Sequence, residues 1–197
     1  RLPPVTDADE QALLDRARAG DPAAFDEIVD LYERRVFAVA MRIVRSHEDA
    51  RDVTQEVFVT ALRALKGFRG ESQLSTWFHR VTVNASLDLV RKRRRREHSS
   101  VDELSDQPSA APGPEAEAIA SVRAREVHRA LGALPPEQRA LIVMHDLQDI
   151  DYAECAEVLG IPLGTVKSRL HRARLALARE LGHLREAEPS GGPGPLR

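Results

Sequence analysis

The sequence predicts an all-α protein made of two small helical domains joined by a flexible acidic linker. Apolar residues recur at three- and four-residue spacing almost throughout and do not alternate, which is the signature of helix rather than strand. Aromatics are only 4%, with 11 Gly and 12 Pro in 197 residues, a composition typical of helical rather than all-β proteins. Residues 97–117 carry six acidic side chains, no Lys or Arg, and the run PSAAPGP, too little apolar surface to fold alone. At roughly 150 residues per domain, the length suits one or two domains.

In chain order, a short helix is expected near residues 9–18. Asp21 supplies an N-cap and Pro22 a first-turn proline, after which Phe25, Ile28, Val29, Tyr32, Val36, Ala40, Ile43 and Val44 mark one long buried stripe. Ser46, with Asp49 three residues on, resembles a capping box with Asp in place of Glu. It opens a second long helix with Ala50, Val53, Val57, Phe58, Ala61, Leu62 and Leu65 inward and Gly67 as its stop. Residues 67–75, GFRGESQLS, read as a loop that ends with Ser75 as an N-cap. From Thr76 the period resumes through Phe78, Val81, Ala85 and Leu89 and runs straight into Arg91, Lys92, Arg93, Arg94, Arg95 and Arg96.

Beyond the linker, helical periodicity returns from about Ala116 to Leu131. Leu134, Pro135 and Pro136 break the chain before a compact helix around 137–147. Asp151 caps a short helix, YAECAEVL, that stops at Gly160, and Ile161 and Pro162 turn into LGTVKSRLHRARLALAREL. The tail from Glu186 on is Pro- and Gly-rich and is expected to be disordered. Two helices joined by a short turn containing Gly describe a helix-turn-helix. On its second helix Val166, Leu170, Ala173 and Leu177 share a buried face. Opposite lie Ser168, His171 and Arg172, flanked by Thr165, Lys167 and Arg169. The early residues of such a helix enter the major groove, where Arg bonds guanine and Ser or Thr bonds base edges or phosphate. Arg174 and Arg179 lie further along, towards phosphate or solvent.

The formal charge of −2 hides an alternation. Residues 67–96 carry 8 basic and 2 acidic side chains, a net of +6, and residues 161–197 carry 7 and 3, a net of +4. Residues 97–160 carry 4 and 13, a net of −9. Two basic elements separated by acidic surface suit two contacts with a polyanion. The longest unbroken apolar run, Val36 to Met41, falls far short of the roughly 20 residues that span a bilayer, so no membrane insertion is expected. Residues 1–20 have no apolar stretch of the signal-peptide kind. A single cysteine, Cys155, leaves no internal disulfide and no Cys-rich zinc site, so a reducing cytoplasm is the expected setting. The chain shows no Gly-rich phosphate loop, no HExxH, and no nucleophile with a base partner. No catalytic residue, metal site or cofactor is therefore expected.

The blocks DARDVTQEVF at 49–58 and TWFHRVTVNASLDLVRKRRRR at 76–96, followed by LGIPLGTVKSRLHRAR at 159–174, resemble bacterial RNA polymerase sigma factors of the extracytoplasmic-function group. The resemblance covers about residues 10–183. It implies a flexible N-terminus at 1–7, a region 2 domain at 8–96, an acidic linker at 97–114, a region 4 domain at 115–184 and a disordered tail at 185–197. It implies an alternative sigma factor that binds core RNA polymerase and directs promoter-specific initiation without catalysing a reaction. The partners it implies are the clamp coiled coil of the largest polymerase subunit, the flap of the second-largest, promoter DNA and an anti-sigma factor.

By the same resemblance, Asp49, Arg51, Asp52, Gln55 and Glu56 meet the clamp. Phe68, Arg69, Ser72, Gln73 and Leu74 form a loop pocket for a flipped minus-ten base, with Trp77, Arg80 and Asn84 on the following helix. Arg91, Lys92, Arg93 and Arg94 bind phosphate without reading sequence. Thr165, Lys167, Ser168, Arg169, His171 and Arg172 meet the minus-thirty-five element. Trp77 has two readings, stacking at the melted junction or packing in the core. The linker likewise either threads a positively charged channel or merely tethers the domains. Cys155 stands where the family often has an aliphatic residue and reads as a small buried hydrophobe, with a redox-sensing thiol as the alternative. A competing interpretation of the whole chain is a helix-turn-helix regulator with an N-terminal regulatory module.

Overall fold

The computed structural model describes residues 7–67, 73–99 and 118–187, and among them every regular element is helical. The helices are α1 (Asp7–Arg18), α2 (Pro22–Val44), α3 (His47–Ala64), α4 (Leu74–Ser99), α5 (Ala118–Ala133), α6 (Pro136–Leu141), α7 (Tyr152–Leu159) and α8 (Leu163–Ala187). The expectations for residues 1–6, for 100–117 and for 188–197 lie outside the described residues.

Local sequence chemistry sets most helix ends. The Asp21 carboxylate accepts from Ala23 N at 3.0 Å, and Pro22 fills the first turn of α2, where a missing N–H costs nothing. Ser46 Oγ accepts from Asp49 N at 3.3 Å to open α3. One end is set from a distance. Glu10 of α1 accepts from Leu74 N at 3.2 Å with one oxygen and from Tyr32 Oη at 2.8 Å with the other, so α1 caps α4 while pinning α2. Burial, then that hydrogen bond, hold the Tyr32 phenol above its ordinary range. Replacing Glu10 with Ala leaves a buried hydroxyl and a helix-end N–H without their acceptor. An equilibrium urea melt is expected to show a loss of about 1–3 kcal/mol, with Glu10→Gln retaining part of it.

Several boundaries differ from the periodic expectation. Because Glu10 supplies the cap, α4 begins at Leu74 rather than after Ser75. Helix α3 stops at Ala64, and Gly67 closes a following 3-10 turn at Leu65–Gly67 instead of α3 itself. Leu62, expected inward, is 56% exposed. The compact helix around 137–147 divides into α6 and a π-helical segment, Ile142–Asp146. Helix α4 runs on through Ser99, past the expected start of the linker at 97, and α8 runs to Ala187, because no Gly or Pro interrupts RKRRRREHS and the next proline after α8 is Pro189.

Two apolar clusters form. The first gathers Leu14, Ile28, Tyr32, Val36, Ala50, Val53, Val57, Leu74, Trp77 and Phe78 from α1 to α4. Phe78 stacks on Tyr32 with ring centroids 4.6 Å apart. The second joins α5–α8 to the other side of α2 and α4: Val39, Ile43, Val83 and Leu87 are buried in the same cluster as Leu131, Leu141, Met144, Cys155, Val166 and Leu170. Helix α4 is thus buried along two faces. Arg139 is buried beside this second cluster at 7% exposure and donates to Leu131 O at 2.9 Å, Leu134 O at 3.0 Å, Gly132 O at 3.2 Å and Ile43 O.

Candidate nucleic-acid and partner interface

Helix α8 is aimed by the turn before it. Asp151 Oδ1 accepts from Glu154 N at 2.8 Å to start α7, and Gly160 ends α7 with φ +63, a left-handed conformation that suits glycine. Pro162 O then accepts from Thr165 N and Val166 N at 2.8 and 3.1 Å, turning the chain into α8. Val166, Leu170 and Ala173 face the core with Leu177 half-buried beside them. Lys167, Ser168, His171 and Arg172 are exposed on the opposite side, with Thr165 and Arg169 half-buried at its edges. Two basic side chains and two hydrogen-bonding ones therefore stand together on the outer face.

Arg174 does not join them. Its guanidinium is paired with both carboxylate oxygens of Asp146, a charge-assisted bond that raises its already high pKa. Asp146 ends the π-helical segment, and periodicity gave no signal for this pairing. Lys167 Nζ lies 5.8 Å from the centroid of Tyr152, whose ring also packs on His145 at 4.2 Å. Tyr152 was likewise not legible as a neighbour of the recognition face.

On α4, Arg80 and Asn84 are exposed one turn apart, and Lys92 and Arg94 project from its C-terminal part. Arg93 Nη1 pairs with Asp49 Oδ2 at 3.0 Å, and Arg91 lies 3.5 Å from Asp88 and 3.7 Å from Glu137. Gln73 is exposed just before the helix, while Leu74 is buried. Trp77 is 8% exposed and meets Phe78 edge-on at 5.2 Å, so in this form of the chain it packs in the core. Phe68, Arg69 and Ser72 lie outside the described residues.

On α3, Arg51, Asp52, Gln55 and Glu56 are exposed, whereas Asp49 is half-buried against Arg93. Beside this stripe runs a groove of about 910 Å³ between α2 and α3, lined among others by Phe25, Phe37, Phe58, Asp52, Gln55 and Leu62. Val59 and Leu62 are exposed at 43% and 56%. Residues 52, 55, 59 and 62 follow the i, i+3, i+7, i+10 rule of one helix face, which is the signal by which Val59 and Leu62 were findable. A polar stripe with an apolar border suits an amphipathic partner helix.

Among the described residues no cluster of three or more His, Cys, Asp or Glu forms a metal-binding group, and no helix is long and apolar enough to cross a membrane. Cys155 is fully buried with Sγ 3.8 Å from Ile150 O, and burial pushes the thiol up to about 12, which suits a small core hydrophobe and not a reactive thiolate.

Comparison with known proteins identifies two family regions in the chain. Residues 28–96 match the family profile described as Sigma-70 region 2, and residues 124–177 match Sigma-70, region 4. The chain is 39% identical over 167 residues to the ECF RNA polymerase sigma factor SigM of Mycobacterium tuberculosis, covering 84% of this chain and 81% of that one. It is 35% identical over 176 residues to the ECF RNA polymerase sigma-E factor of Escherichia coli K12, covering 85% and 92%. Among solved structures it is similar in fold to the sigma factor RpoE of Bartonella quintana, crystallised with the anti-sigma factor NepR, at TM-score 0.60, 23% identity and coverage of 84% and 98%. It is likewise similar to CnrH, solved in complex with the cytosolic domain of CnrY, at TM-score 0.61, 24% identity and coverage of 91% and 99%.

Proposed function

Since the chain belongs to the extracytoplasmic-function sigma factors of the sigma-70 family, we propose that residues 8–96 act as region 2, residues 97–114 as the linker and residues 115–184 as region 4. In that layout α8 reads the minus-thirty-five element through Lys167, Ser168, His171 and Arg172, with Thr165 and Arg169 at the edges of the contact. Helix α4 and the loop before it recognise and open the minus-ten element: Arg80 and Asn84 meet the separated strand, Phe68, Arg69, Ser72 and Gln73 form the base pocket with the buried Leu74 anchoring its floor in the core, and Arg91, Lys92, Arg93 and Arg94 hold phosphates. Trp77 supports that helix from the core. The chain performs no chemistry of its own. Contacts with separated strands offset the unstacking of a flipped base, which costs a few kcal/mol.

The α2–α3 groove is the core-polymerase site. Its support is geometric: Asp52 and Gln55 stand exposed along a groove with an apolar border at Val59 and Leu62, a surface suited to a coiled-coil helix rather than to nucleic acid. Arg51 and Glu56 extend the polar stripe, and Asp49 supports it through Arg93. Region 4 meets the flap of the second-largest subunit. Similarity of fold to a sigma factor solved with an anti-sigma factor supports control by an anti-sigma factor, with the cytoplasm as the place of action.

The observation that carries the reading is the presence, in one chain, of two outward-facing basic helices and a separate partner groove. The test is co-elution with core polymerase followed by transcription from a genomic template pool. Promoter-specific transcripts are expected. The double variant Asp52→Ala with Gln55→Ala is expected to weaken core binding by at least about tenfold while isolated upstream DNA still binds, by analogy with hot spots that cost more than 1 kcal/mol each. Core binding at the wild-type level would place the contact elsewhere. DNA binding without core association or initiation would favour a helix-turn-helix regulator.

A further inference from the structure

Helix α5 belongs to the most acidic stretch of the chain, residues 97–160, which carry 4 basic and 13 acidic side chains. Arg125, His128, Arg129 and Gly132 nonetheless recur on it at i, i+3, i+4 and i+7, which places them along one face. The end of α2 brings two more cations to that face. The charges of Arg45, Arg139 and Arg42 all reach the half-buried His128 ring, and Arg125 and Arg129 stand exposed at the rim.

Elsewhere in the chain Arg16, Arg91, Arg93 and Arg174 each hold a carboxylate. Among the described residues none pairs with Arg42, Arg45, Arg125 or Arg129. Arg42 Nη1 donates to Ala38 O at 3.0 Å, whereas Arg45 Nε is buried and has no hydrogen-bond partner. Arg45, at φ +65 just beyond α2, lays its guanidinium against Gly132, where a Cβ would overlap it, and Arg139 Nη2 reaches Gly132 O at 3.2 Å. Two guanidiniums thus converge on one glycine. The C-terminal ends of α2 and α5 supply about half a negative charge each, about one in all, against the five guanidiniums of Arg42, Arg45, Arg125, Arg129 and Arg139. Roughly four positive charges are left without compensation.

We propose that the end of α2 and the basic face of α5 form a binding site for a compact diphosphate group, separate from the surfaces assigned to promoter DNA. A phosphoryl group carries about −1.5 to −2 charges at neutral pH, so two of them offset the excess. Guanidinium forks match phosphate oxygens two at a time, and such charge-assisted bonds are the strong ones. Arg45 and His128 lie at the inner end of the site, within reach of a terminal diphosphate and too recessed for the continuous backbone of a duplex. Gly132 leaves the Arg45 guanidinium its place.

The full chain titrated calorimetrically with pyrophosphate, at about 0.15 M salt to screen scattered surface charge, is expected to bind one equivalent. Arg45→Gln and the exposed Arg129→Gln are each expected to weaken that binding about ten- to a hundredfold, the loss of one hydrogen-bonded charge contact. Gly132→Ala separates binding from folding. It replaces a helical glycine by the best helix former, so the thermal midpoint is expected to hold or rise, while the added Cβ pushes the Arg45 guanidinium aside and weakens pyrophosphate. Burial first, and then the charges of Arg45, Arg139 and Arg42, hold the His128 pKa below its ordinary value. An NMR titration of that ring is expected to show the pKa rising once pyrophosphate is bound, because a neighbouring anion favours the imidazolium. Lys92→Gln with Arg94→Gln, on the basic run of α4, is expected to bind pyrophosphate as the wild type does. No saturable binding, binding that survives in both Arg45→Gln and Gly132→Ala, or a loss confined to the α4 variant would overturn the proposal. Displacement of pyrophosphate by an oligonucleotide with a 5′-hydroxyl, lost in Arg45→Gln, would assign the face to a nucleic-acid backbone and overturn the diphosphate site as well.

Discussion

Changing Arg172 and Lys167 together to Ala is expected to weaken binding to an upstream promoter duplex by two to three orders of magnitude while core-polymerase association stays intact. The chemistry of the exposed face sets that loss. Arg172 is exposed, and its Nε donates to Ser168 O at 3.3 Å, which leaves the other donors of its guanidinium fork for a base edge. A good bidentate Arg–guanine pair is worth about 1–3 kcal/mol of discrimination. Lys167 sits five residues earlier, 5.8 Å from the Tyr152 ring centroid, and suits a phosphate. Losing a phosphate contact weakens all sequences alike and reduces the slope of log affinity against log salt by about 1. The two single variants therefore separate in kind: Arg172→Ala relaxes sequence preference at one position, whereas Lys167→Ala mainly flattens the salt dependence. Neither side chain belongs to the buried stripe of Val166, Leu170 and Ala173, so the fold of α8 is unaffected. Equal loss of DNA and polymerase binding would contradict the assignment of these two surfaces to two partners.

How legible such features were depended on their range along the chain. Asp21, Ser46, Asp151 and Gly160 were read correctly because each satisfies or ends a helix within a few residues of itself. The stripe on α8 was legible for the same reason, since 3.6-residue periodicity reports a single buried face. Helix α4 defeats that rule. With one side on the α1–α3 bundle and another on α6 and α7, its apolar positions spread around the helix, and Val83 and Leu87 fall outside the stripe that Phe78, Val81, Ala85 and Leu89 suggest. Glu10 capping Leu74 from 64 residues away is invisible to any local pattern. The same holds for Asp146 claiming Arg174, an arginine that sequence alone places towards DNA phosphate or solvent. For the candidate site, residue types and helix faces were legible, but which cations already hold carboxylates was not.

Arg139 is the sharpest case of that gap, and its replacement by Met is expected to lower global stability by about 1–3 kcal/mol, the range for leaving buried polar groups without their donor. No local pattern in the sequence singles it out, yet it is 7% exposed and donates to four carbonyls. Three of those carbonyls belong to the end of α5 and to Leu134 just after it, where helix-terminal carbonyls lack intrahelical partners, although Leu131 O also accepts from Leu134 N at 3.2 Å. A forked, planar cation can serve several at once; Lys, a single point of charge, cannot, so Arg139→Lys is expected to recover only part of the loss. Met keeps most of the side-chain volume, and the measured cost then reflects unsatisfied carbonyls more than a cavity. The exposed pair Arg16–Glu27, at 3.1 Å, supplies the contrast: Glu27→Ala is expected to leave the urea midpoint essentially unchanged, because solvent screens the pair. Urea melts of Arg139→Met and Glu27→Ala check both expectations. A loss below about 1 kcal/mol for Arg139→Met would mean that water replaces the guanidinium at all four carbonyls, and the contact between α2 and α6 would then rest on apolar burial alone.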